Sequence, residues 1–496
     1  MPNPTIDLMI QDKAEKIPPH DGLRPAVQRS PKLPALAASA AVALGVLCFA
    51  NTASAGGFVA NKYGGLYGNA NADGGLAMYW NPARLAEREG FFATVDLNYF
   101  NRSVTYERRS ADDPNRPADH HLCNNNDFGV DYCSRREEDI YNTGVGTLSN
   151  QGVLPYFALG YGLDLDLGTL SFGAGFYPSF GGAAKWDKTP DVYDRAAAVD
   201  AEGRTAAELQ ELYPGAIDGP NRWTNMETEL LVLDYALGAG IKLADTGLSF
   251  GGSLAYSQIS INTVRARTGI KTDQMRSEDG ANNIEGSLHY NGTGHGVVFV
   301  VGASYEWETL LASVAYHSRQ NVPVEGPLRQ TIADDSVAAL DFPLPDIVDV
   351  AFAGTFGKWG GTVALNYVNW SLVDVHKVII PPNAPVLDLR RDMEDTLAVR
   401  LLPTYQLDRE TDFRAMVGYE GSAIPKYNMD AGLMDAPKYL FGIAGRYGTE
   451  DYRVSLGYTH EMLLEVNVTE NIHEPPQTGK YNDSRHFVTL SLEMFL

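Results

Sequence analysis

Beyond residue 90 the chain consists largely of short runs in which apolar and polar residues strictly alternate. The run 488–494 shows this most clearly, with valine, leucine and methionine at every second position and threonine, serine and glutamate between them. A period of two places successive side chains on opposite faces of a strand. Each run therefore predicts a strand with one apolar and one polar face.

Fourteen such runs occur, and the connections between them alternate between short and long. The runs begin near residues 91, 153, 169, 226, 247, 287, 309, 347, 361, 396, 412, 438, 452 and 485. The short connections fall near 165–168, 244–247, 306–309, 357–360, 408–411 and 448–451. Nothing in a soluble β-sandwich favours alternating short and long loops, whereas a bacterial outer-membrane barrel has short periplasmic turns and long external loops.

A membrane imposes a second constraint on such strands. In hydrocarbon every backbone N–H and C=O group must be paired within the protein, so alternating strands can span only as a closed barrel. We therefore predict an all-β fold, a transmembrane antiparallel β-barrel of about 14 strands in the outer membrane of a Gram-negative cell. Aromatic residues that suit its interfacial girdles are Trp307, Trp359, Trp370, Tyr447 and Tyr458.

The N-terminus carries an export signal. The apolar run 33–50 follows several basic residues and precedes Ala53-Ser54-Ala55, which is the order of regions in a secretory signal peptide. We expect residues 1–55 to be removed, although a membrane anchor has a similar pattern.

Charge and motif content exclude several functional classes. The chain has 39 basic and 62 acidic residues, a net charge of −23, and so lacks the cationic surface that nucleic acid requires. It contains none of the common motifs of hydrolases, metalloproteases or nucleotide-binding enzymes. We expect no enzymatic activity, no cofactor and no bound metal.

Two cysteines, Cys123 and Cys133, lie in one polar segment of the exported chain. Oxidising conditions outside the cytoplasm favour a disulfide between them. His120 and His121 leave a metal site as the alternative, but adjacent histidines do not match the usual zinc spacings.

The disulfide makes a direct prediction. The intact protein should resist thiol alkylation until a reductant is added, because both sulfurs are engaged. Mass spectrometry after alkylation measures this, and labelling of both cysteines without reductant would contradict the pairing.

A barrel of fourteen strands has a lumen that wall side chains cannot fill. Residues 56–90 show no alternation and are rich in glycine, alanine, asparagine and aromatic residues. We predict that this hatch segment folds into the lumen as a plug, and that residues 91–496 form the barrel.

The hatch segment also carries a family resemblance. Its sequence GGFVANKYGGLYGNANADGGLAMYWNPARLA, with the signature Asn81-Pro82-Ala83, resembles the hatch of the outer-membrane long-chain fatty-acid transporter (FadL-type) family. Further similarities are FYPSFGGAAKW at 176–186, LPDIVDVAFAGTF at 344–356 and PKYLFGIAGRYG at 437–448. The resemblance spans the mature chain and implies the same fourteen strands.

The resemblance implies passive uptake of hydrophobic molecules such as fatty acids or hydrocarbons, by a monomer in contact with outer-membrane lipid. Candidate ligand-binding residues of the hatch are Phe58, Leu66, Tyr67, Met78, Tyr79 and Trp80. Simple packing of a plug against the barrel wall would explain the same residues equally well.

The resemblance places a lateral opening at Pro178, Gly181 and Gly182, where proline removes a ladder donor and glycine favours a bulge. An ordinary strand end is the alternative. Arg400, Arg414 and Arg446 fall on lumen-facing positions and could bind a carboxylate or pair with lumen acids such as Glu420.

Other functions compatible with a barrel are a general porin for small polar solutes, a lipid-modifying enzyme and an adhesive barrel. The enzyme lacks an identifiable nucleophile and base, and the adhesin leaves the hatch segment unexplained. The porin is therefore the main alternative to hydrophobic uptake.

Overall fold

The computed structural model describes residues 62–108, 145–186, 225–268, 285–330, 336–380, 387–473 and 477–496. They form a sheet of nineteen strands. In chain order these are β1 (Gly90–Arg108), β2 (Val145–Leu165), β3 (Gly168–Lys185), β4 (Asn225–Leu243), β5 (Leu248–Thr268), β6 (Glu285–Trp307), β7 (Leu310–His317), β8 (Gln320–Gln330), β9 (Ser336–Leu344), β10 (Ile347–Phe356), β11 (Trp359–Val368), β12 (Val375–Ile379), β13 (Leu387–Arg390), β14 (Thr396–Gln406), β15 (Thr411–Glu420), β16 (Lys438–Gly448), β17 (Tyr452–Leu463), β18 (Val466–Val468) and β19 (Gly479–Phe495).

Fourteen of these strands close into an antiparallel barrel. The wall runs through β1 to β7, then β10, β11, β14 to β17 and β19. β1 pairs with β19 from Phe92↔Phe495 to Arg108↔Gly479 and so closes the sheet. The predicted strand number and antiparallel barrel are confirmed. The described parts of the long connections contain the five remaining strands, which the alternation did not predict.

The barrel has the two faces that the sequence pattern predicts. Leu237 and Ile443 are 70% and 67% exposed on the outside, whereas their neighbours Ala236 and Ala444 are buried inside. Trp307 and Trp359 also point outward and lie next to short turns. Trp370 does not belong to this outer set, because it is buried in a 3-10 turn that follows β11.

Helical structure is sparse. No helix in the described stretches is long and apolar enough to cross a membrane. In the hatch segment, a four-residue α-helix and three 3-10 turns occupy Ala77–Trp80, Gly65–Tyr67, Gly74–Leu76 and Pro82–Glu87.

Residues 62–89, the described part of the hatch segment, contact strands from every side of the wall. Gly65–Tyr67 meets β15, β16, β17 and β19, Gly74–Leu76 meets β1 and β2, and Pro82–Glu87 meets β2 to β6. Residues 62–89 approach the wall so closely that some of the contacting wall residues must be glycine. A Cβ atom at Gly251 would overlap the backbone of Pro82 and Ala83, and one at Gly302 would overlap Asn81. These residues therefore lie against the inner face of the barrel.

Buried charges cross the inner face of β1, β17 and β19. Asp483 accepts hydrogen bonds from Arg102 Nη2 and Arg485 Nη2, each at 2.8 Å. Lys62 Nζ, at the start of the described hatch residues, lies 2.6 Å from the fully buried Glu461. The Lys62–Glu461 ion pair thus connects the hatch segment to the wall.

We expect Asp483→Asn to destabilise the barrel by about 3–5 kcal/mol, because the buried guanidinium groups of Arg102 and Arg485 lose the carboxylate that they share. The temperature at which the compact, heat-resistant form is lost on electrophoresis measures this change. Asp451→Asn, in an exposed turn, is the matched control. An unchanged transition temperature for Asp483→Asn would show that this cluster contributes little.

Candidate functional site

An apolar cavity of about 220 Å³ lies at the end of the lumen formed by the long connections. Strands β4, β5 and β6 contribute one side, and β8, β9, β12 and β13 contribute the other. Its apolar lining includes Leu230, Ile261, Leu328, Leu344, Trp370 and Met393. A cavity that is apolar with a few polar groups is typical of a small-molecule site.

The loop strands form this cavity because they extend the sheet inward from the wall. β8 pairs with β6, β9 with β8, and β12 with β9. Val322 and Val324 of β8 are buried, and Trp370 packs edge-on against Phe180 with ring centres 6.2 Å apart. Trp370 is therefore a cavity residue.

One end of the cavity is polar. Asp430 lies 3.5 Å from Arg391 Nη1, and Arg391 Nε lies 3.4 Å from His376 Nδ1. Burial, and then the charge of Arg391, lower the pKa of His376 to about 3. The imidazole is therefore neutral at physiological pH. Asn225 and Arg265 lie at the same end.

A second, smaller cavity of about 20 Å³ lies between the first cavity and the hatch segment. Leu344 lines both cavities, and Tyr79 of the hatch segment lines the smaller one together with Tyr177 and Ser179 of β3. The two cavities thus lead from the long-connection end of the lumen toward the middle of β3.

The ladder between β2 and β3 is interrupted next to this smaller cavity. The two strands pair from Leu165↔Gly168 to Phe157↔Phe176, and then meet again only at an isolated bridge, Leu148↔Trp186. In the described structure, residues 149–156 of β2 pair with β1 alone, and residues 177–185 of β3 pair with β4 alone. The wall therefore lacks backbone pairing over this stretch.

The unpaired part of β3 does not behave as a lipid-facing strand. Residues 177–184 are all buried, whereas a two-faced strand would alternate. A bulge separates Pro178 from Phe180 in the pairing with β4, as proline within a strand favours. Side chains satisfy the freed carbonyls: the Tyr63 hydroxyl donates to Pro178, and Asn150 Nδ2 donates to Ala183 at 2.7 Å.

These observations place the predicted opening residues in the interruption. Pro178 is at the bulge, and Gly181 and Gly182 follow it in the stretch that lacks partners on β2. Their pairing with Leu231 and Leu230 of β4 is regular. β3 itself continues in pairing with β4 as far as Lys185.

The predicted hatch ligand residues separate into two groups. Leu66 packs in one apolar cluster with wall residues such as Leu402 and Leu440. Met78, Tyr79 and Trp80 belong to another cluster that includes Tyr63, Phe92, Tyr156 and Tyr177. Tyr79 alone among the candidates lines one of the cavities described above. Phe58, the two cysteines and the predicted signal peptide lie outside the described residues.

The Asn81-Pro82-Ala83 signature fixes the hatch segment to the wall. Asn81 is fully buried, and its Nδ2 donates to Ala70 O at 3.1 Å and to Ala303 O of β6 at 3.3 Å. Its Oδ1 accepts from the N–H of Ala83 at 3.1 Å, which caps the 3-10 turn that begins at Pro82. One side chain thus joins two parts of the hatch segment to the barrel.

The three lumen arginines contact the hatch segment, and none of them lines either of the two cavities described above. Arg414 and Arg446 each lie 4.5 Å from the centre of the Tyr67 ring, and the Arg400 guanidinium lies 5.6 Å from that of Trp80. Such cation–π contacts are attractive and hold these hatch residues against the wall.

Of the three arginines, Arg446 has a carboxylate partner, since its Nε donates to Asp412 at 2.8 Å. The suggested partner Glu420 instead pairs with Lys438, which lies directly opposite it in the β15–β16 register. Asp412 and Glu420 stand at opposite ends of β15, so Glu420 lies far from Arg414 and Arg446. Arg400 is diagonal to Glu420 in the β14–β15 register, but the described structure shows no ion pair between them.

Solved structures with the same fold include a FadL homologue and two toluene transporters. A Pseudomonas aeruginosa FadL homologue aligns with a TM-score of 0.65 at 13% identity, over 90% of this chain and 99% of that one. The P. putida toluene transporter TodX gives 0.59 at 15% identity, over 89% and 99%. The Ralstonia pickettii toluene transporter TbuX gives 0.56 at 15% identity, over 89% and 98%. No curated protein matches the sequence.

The sequence itself matches a family model. The model described as outer membrane protein transport protein (OMPP1/FadL/TodX) covers residues 224–493, more than half of the chain. The family comprises transport channels of the outer membrane and not enzymes, so the predicted location and the resemblance are confirmed. The chain belongs to the outer membrane protein transport protein (OMPP1/FadL/TodX) family.

Proposed function

We propose that this protein mediates passive uptake of hydrophobic compounds, such as long-chain fatty acids or hydrocarbons, which leave the barrel sideways into the membrane. The observation that carries the proposal is the succession of an apolar cavity, a smaller cavity and an interrupted ladder between β2 and β3. TodX and TbuX, which share the fold, are described as toluene transporters.

Physical chemistry accounts for each step of this route. Moving a methylene group from water to an apolar site is favourable by about 0.8 kcal/mol, so an apolar cavity captures a hydrophobic solute with few polar contacts. Exit through the wall then delivers the solute to hydrocarbon without a return to water. No energy source is required, because the solute moves down its own gradient.

The hatch segment, residues 56–90, is the part that we propose closes the axial path through residues 91–496. Its contacts with strands around the whole wall support this role. Tyr63 and Tyr79 lie beside the unpaired part of β3, so a shift of the hatch segment would change the exit. We further propose that residues 1–55 are removed on export and that the barrel acts as a monomer.

Uptake by cells tests the proposal. The gene is expressed in a Gram-negative host that lacks its own transporter of this family, and the entry of radiolabelled oleate, 4-phenylbutanoate, butylbenzene and sucrose is measured. We expect faster entry of at least one hydrophobic compound and no change for sucrose. Faster entry of sucrose alone would contradict the proposal and support a porin.

A further inference from the structure

The polar end of the apolar cavity contains a hydrogen-bond donor, Asn225 Nδ2, that has no partner among the described residues. Asn225 is 2% exposed and lines the cavity. Asn225 Oδ1 accepts hydrogen bonds from Thr228 Oγ1 at 2.8 Å and from Thr263 Oγ1 at 3.4 Å. Its Nδ2 has no hydrogen-bond partner among the described residues. A buried amide donor left unpaired is unfavourable. A ligand oxygen in the cavity would satisfy it.

The same end carries more positive than negative charge. The described ionisable groups with a formal charge that line the cavity are Arg265, Arg391 and Asp430. Asp430 pairs with Arg391 and lies 3.8 Å from His473 Nε2, while His376 is neutral. Arg265 stands opposite Asn225 in the β4–β5 register, and its charge, like that of Arg391, acts on Asp430. Two guanidinium groups therefore face one carboxylate.

Guanidinium groups bind carboxylates through paired hydrogen bonds, which are stronger than those between neutral groups. A carboxylate at this end would balance the charge of Arg265 and accept from Asn225 Nδ2. An unsubstituted hydrocarbon would do neither. The apolar remainder of the cavity, including Leu230, Ile261 and Trp370, would hold the body of the ligand.

The volume limits the size of that body. A cavity of 150 Å³ in another protein holds one benzene molecule, and sites for drug-sized ligands begin near 300 Å³. The present cavity of about 220 Å³ therefore accommodates one ring with a short chain, but not an extended long-chain fatty acid.

We propose that this cavity is selective for compact hydrophobic carboxylic acids, whose carboxylate binds at Asn225, Arg265 and Arg391. This inference rests on the proposed function and narrows its substrates from long-chain fatty acids and hydrocarbons to compact carboxylic acids. It distinguishes this chain from a channel for unsubstituted hydrocarbons.

Three ligands of one shape test the selectivity. They are 4-phenylbutanoate, 4-phenylbutan-1-ol and butylbenzene, which end in a carboxylate, a hydroxyl and a methyl group. Binding to the purified full-length protein is measured by calorimetry in one detergent. Each affinity is corrected for partition of the compound into detergent. We expect 4-phenylbutanoate to bind at least about tenfold more tightly than butylbenzene, because one charge-assisted hydrogen bond contributes that much affinity.

Variants locate the selectivity. Arg265→Met should bring the affinity of 4-phenylbutanoate close to that of butylbenzene, whereas Arg265→Lys should retain part of the difference. Asn225→Leu should weaken binding of both oxygen-containing compounds. Arg319→Met, at an exposed arginine outside the cavity lining, is the matched control. Heat-resistant migration shows that each variant is folded.

The outcomes separate this inference from the proposed function. Equal binding of all three compounds, or selectivity that survives in folded Arg265→Met, overturns the inference and leaves hydrophobic uptake intact. Tighter binding of oleate than of 4-phenylbutanoate overturns the size limit. If no compound binds and the cellular uptake assay is also negative, the proposed function itself fails.

Discussion

Replacing both Gly181 and Gly182 with valine should reduce uptake of a hydrophobic compound to the background of cells without the protein. Both residues lie where β3 has no partner on the β2 side. Isopropyl groups there would fill the space between the strands, and β-branched residues suit the extended backbone that pairs with β4. Uptake is measured in cells with equal amounts of folded protein.

A second glycine pair provides the matched control for this variant. Gly360 and Gly361 of β11 pair with β10 on one side and with β14 on the other. Valines at this pair should leave uptake unchanged, because the ladder is continuous there. Normal uptake by a correctly folded Gly181→Val, Gly182→Val protein would refute the lateral route and leave an axial path past the hatch segment.

Asn81→Leu should loosen the hatch segment and allow ions to pass through the barrel. The substitution removes three hydrogen bonds, to Ala70, Ala303 and Ala83. At about 1 kcal/mol for each bond, the loss is about 3 kcal/mol, or roughly a hundredfold in the population of the displaced hatch segment. Intermittent current through planar bilayers containing the purified variant measures that population.

Asn71→Leu is the matched control within the hatch segment. Neither side-chain oxygen nor nitrogen of Asn71 has a hydrogen-bond partner in the described structure. Asn71→Leu should therefore show the same low current as the unaltered protein. If folded Asn81→Leu protein also shows only this low current, the Asn81-Pro82-Ala83 signature does not hold the hatch segment in place.

The barrel wall was predictable from the sequence because one rule acts on every strand. Lipid outside and a polar lumen inside impose a period of two, as at 488–494. Most observed strand starts, such as Lys438 and Tyr452, fall within two residues of the predicted positions. The start of β2 was placed eight residues late, because Val145–Gly152 is polar on both faces and lies beyond the membrane band.

The apolar cavity was not predictable by the same rule. Besides β4 to β6 of the wall, it is lined by β8, β9, β12 and β13, which face protein on one side and lie in long connections. Val322 and Val324 alternate with Asn321, Pro323 and Glu325, but proline is atypical of a central strand. The local sequence signal for β8 is therefore ambiguous.

Trp370 and Glu420 show why individual contacts could not be assigned. The alternation of apolar and polar residues predicts which face of a strand a residue occupies. Trp370 lies just beyond the end of β11, where this alternation no longer applies. Glu420 is on the lumen face as predicted, yet its partner Lys438 is set by the register of β15 with β16. Register depends on packing across the whole barrel, which no local pattern contains.

The steady ion conductance of the unaltered protein in planar bilayers tests the central claim most directly. A barrel whose lumen is closed by the hatch segment, and whose exit leads into lipid, should show no stable open channel in salt solution. Large, steady open channels would contradict this account and identify the protein as a porin for small polar solutes.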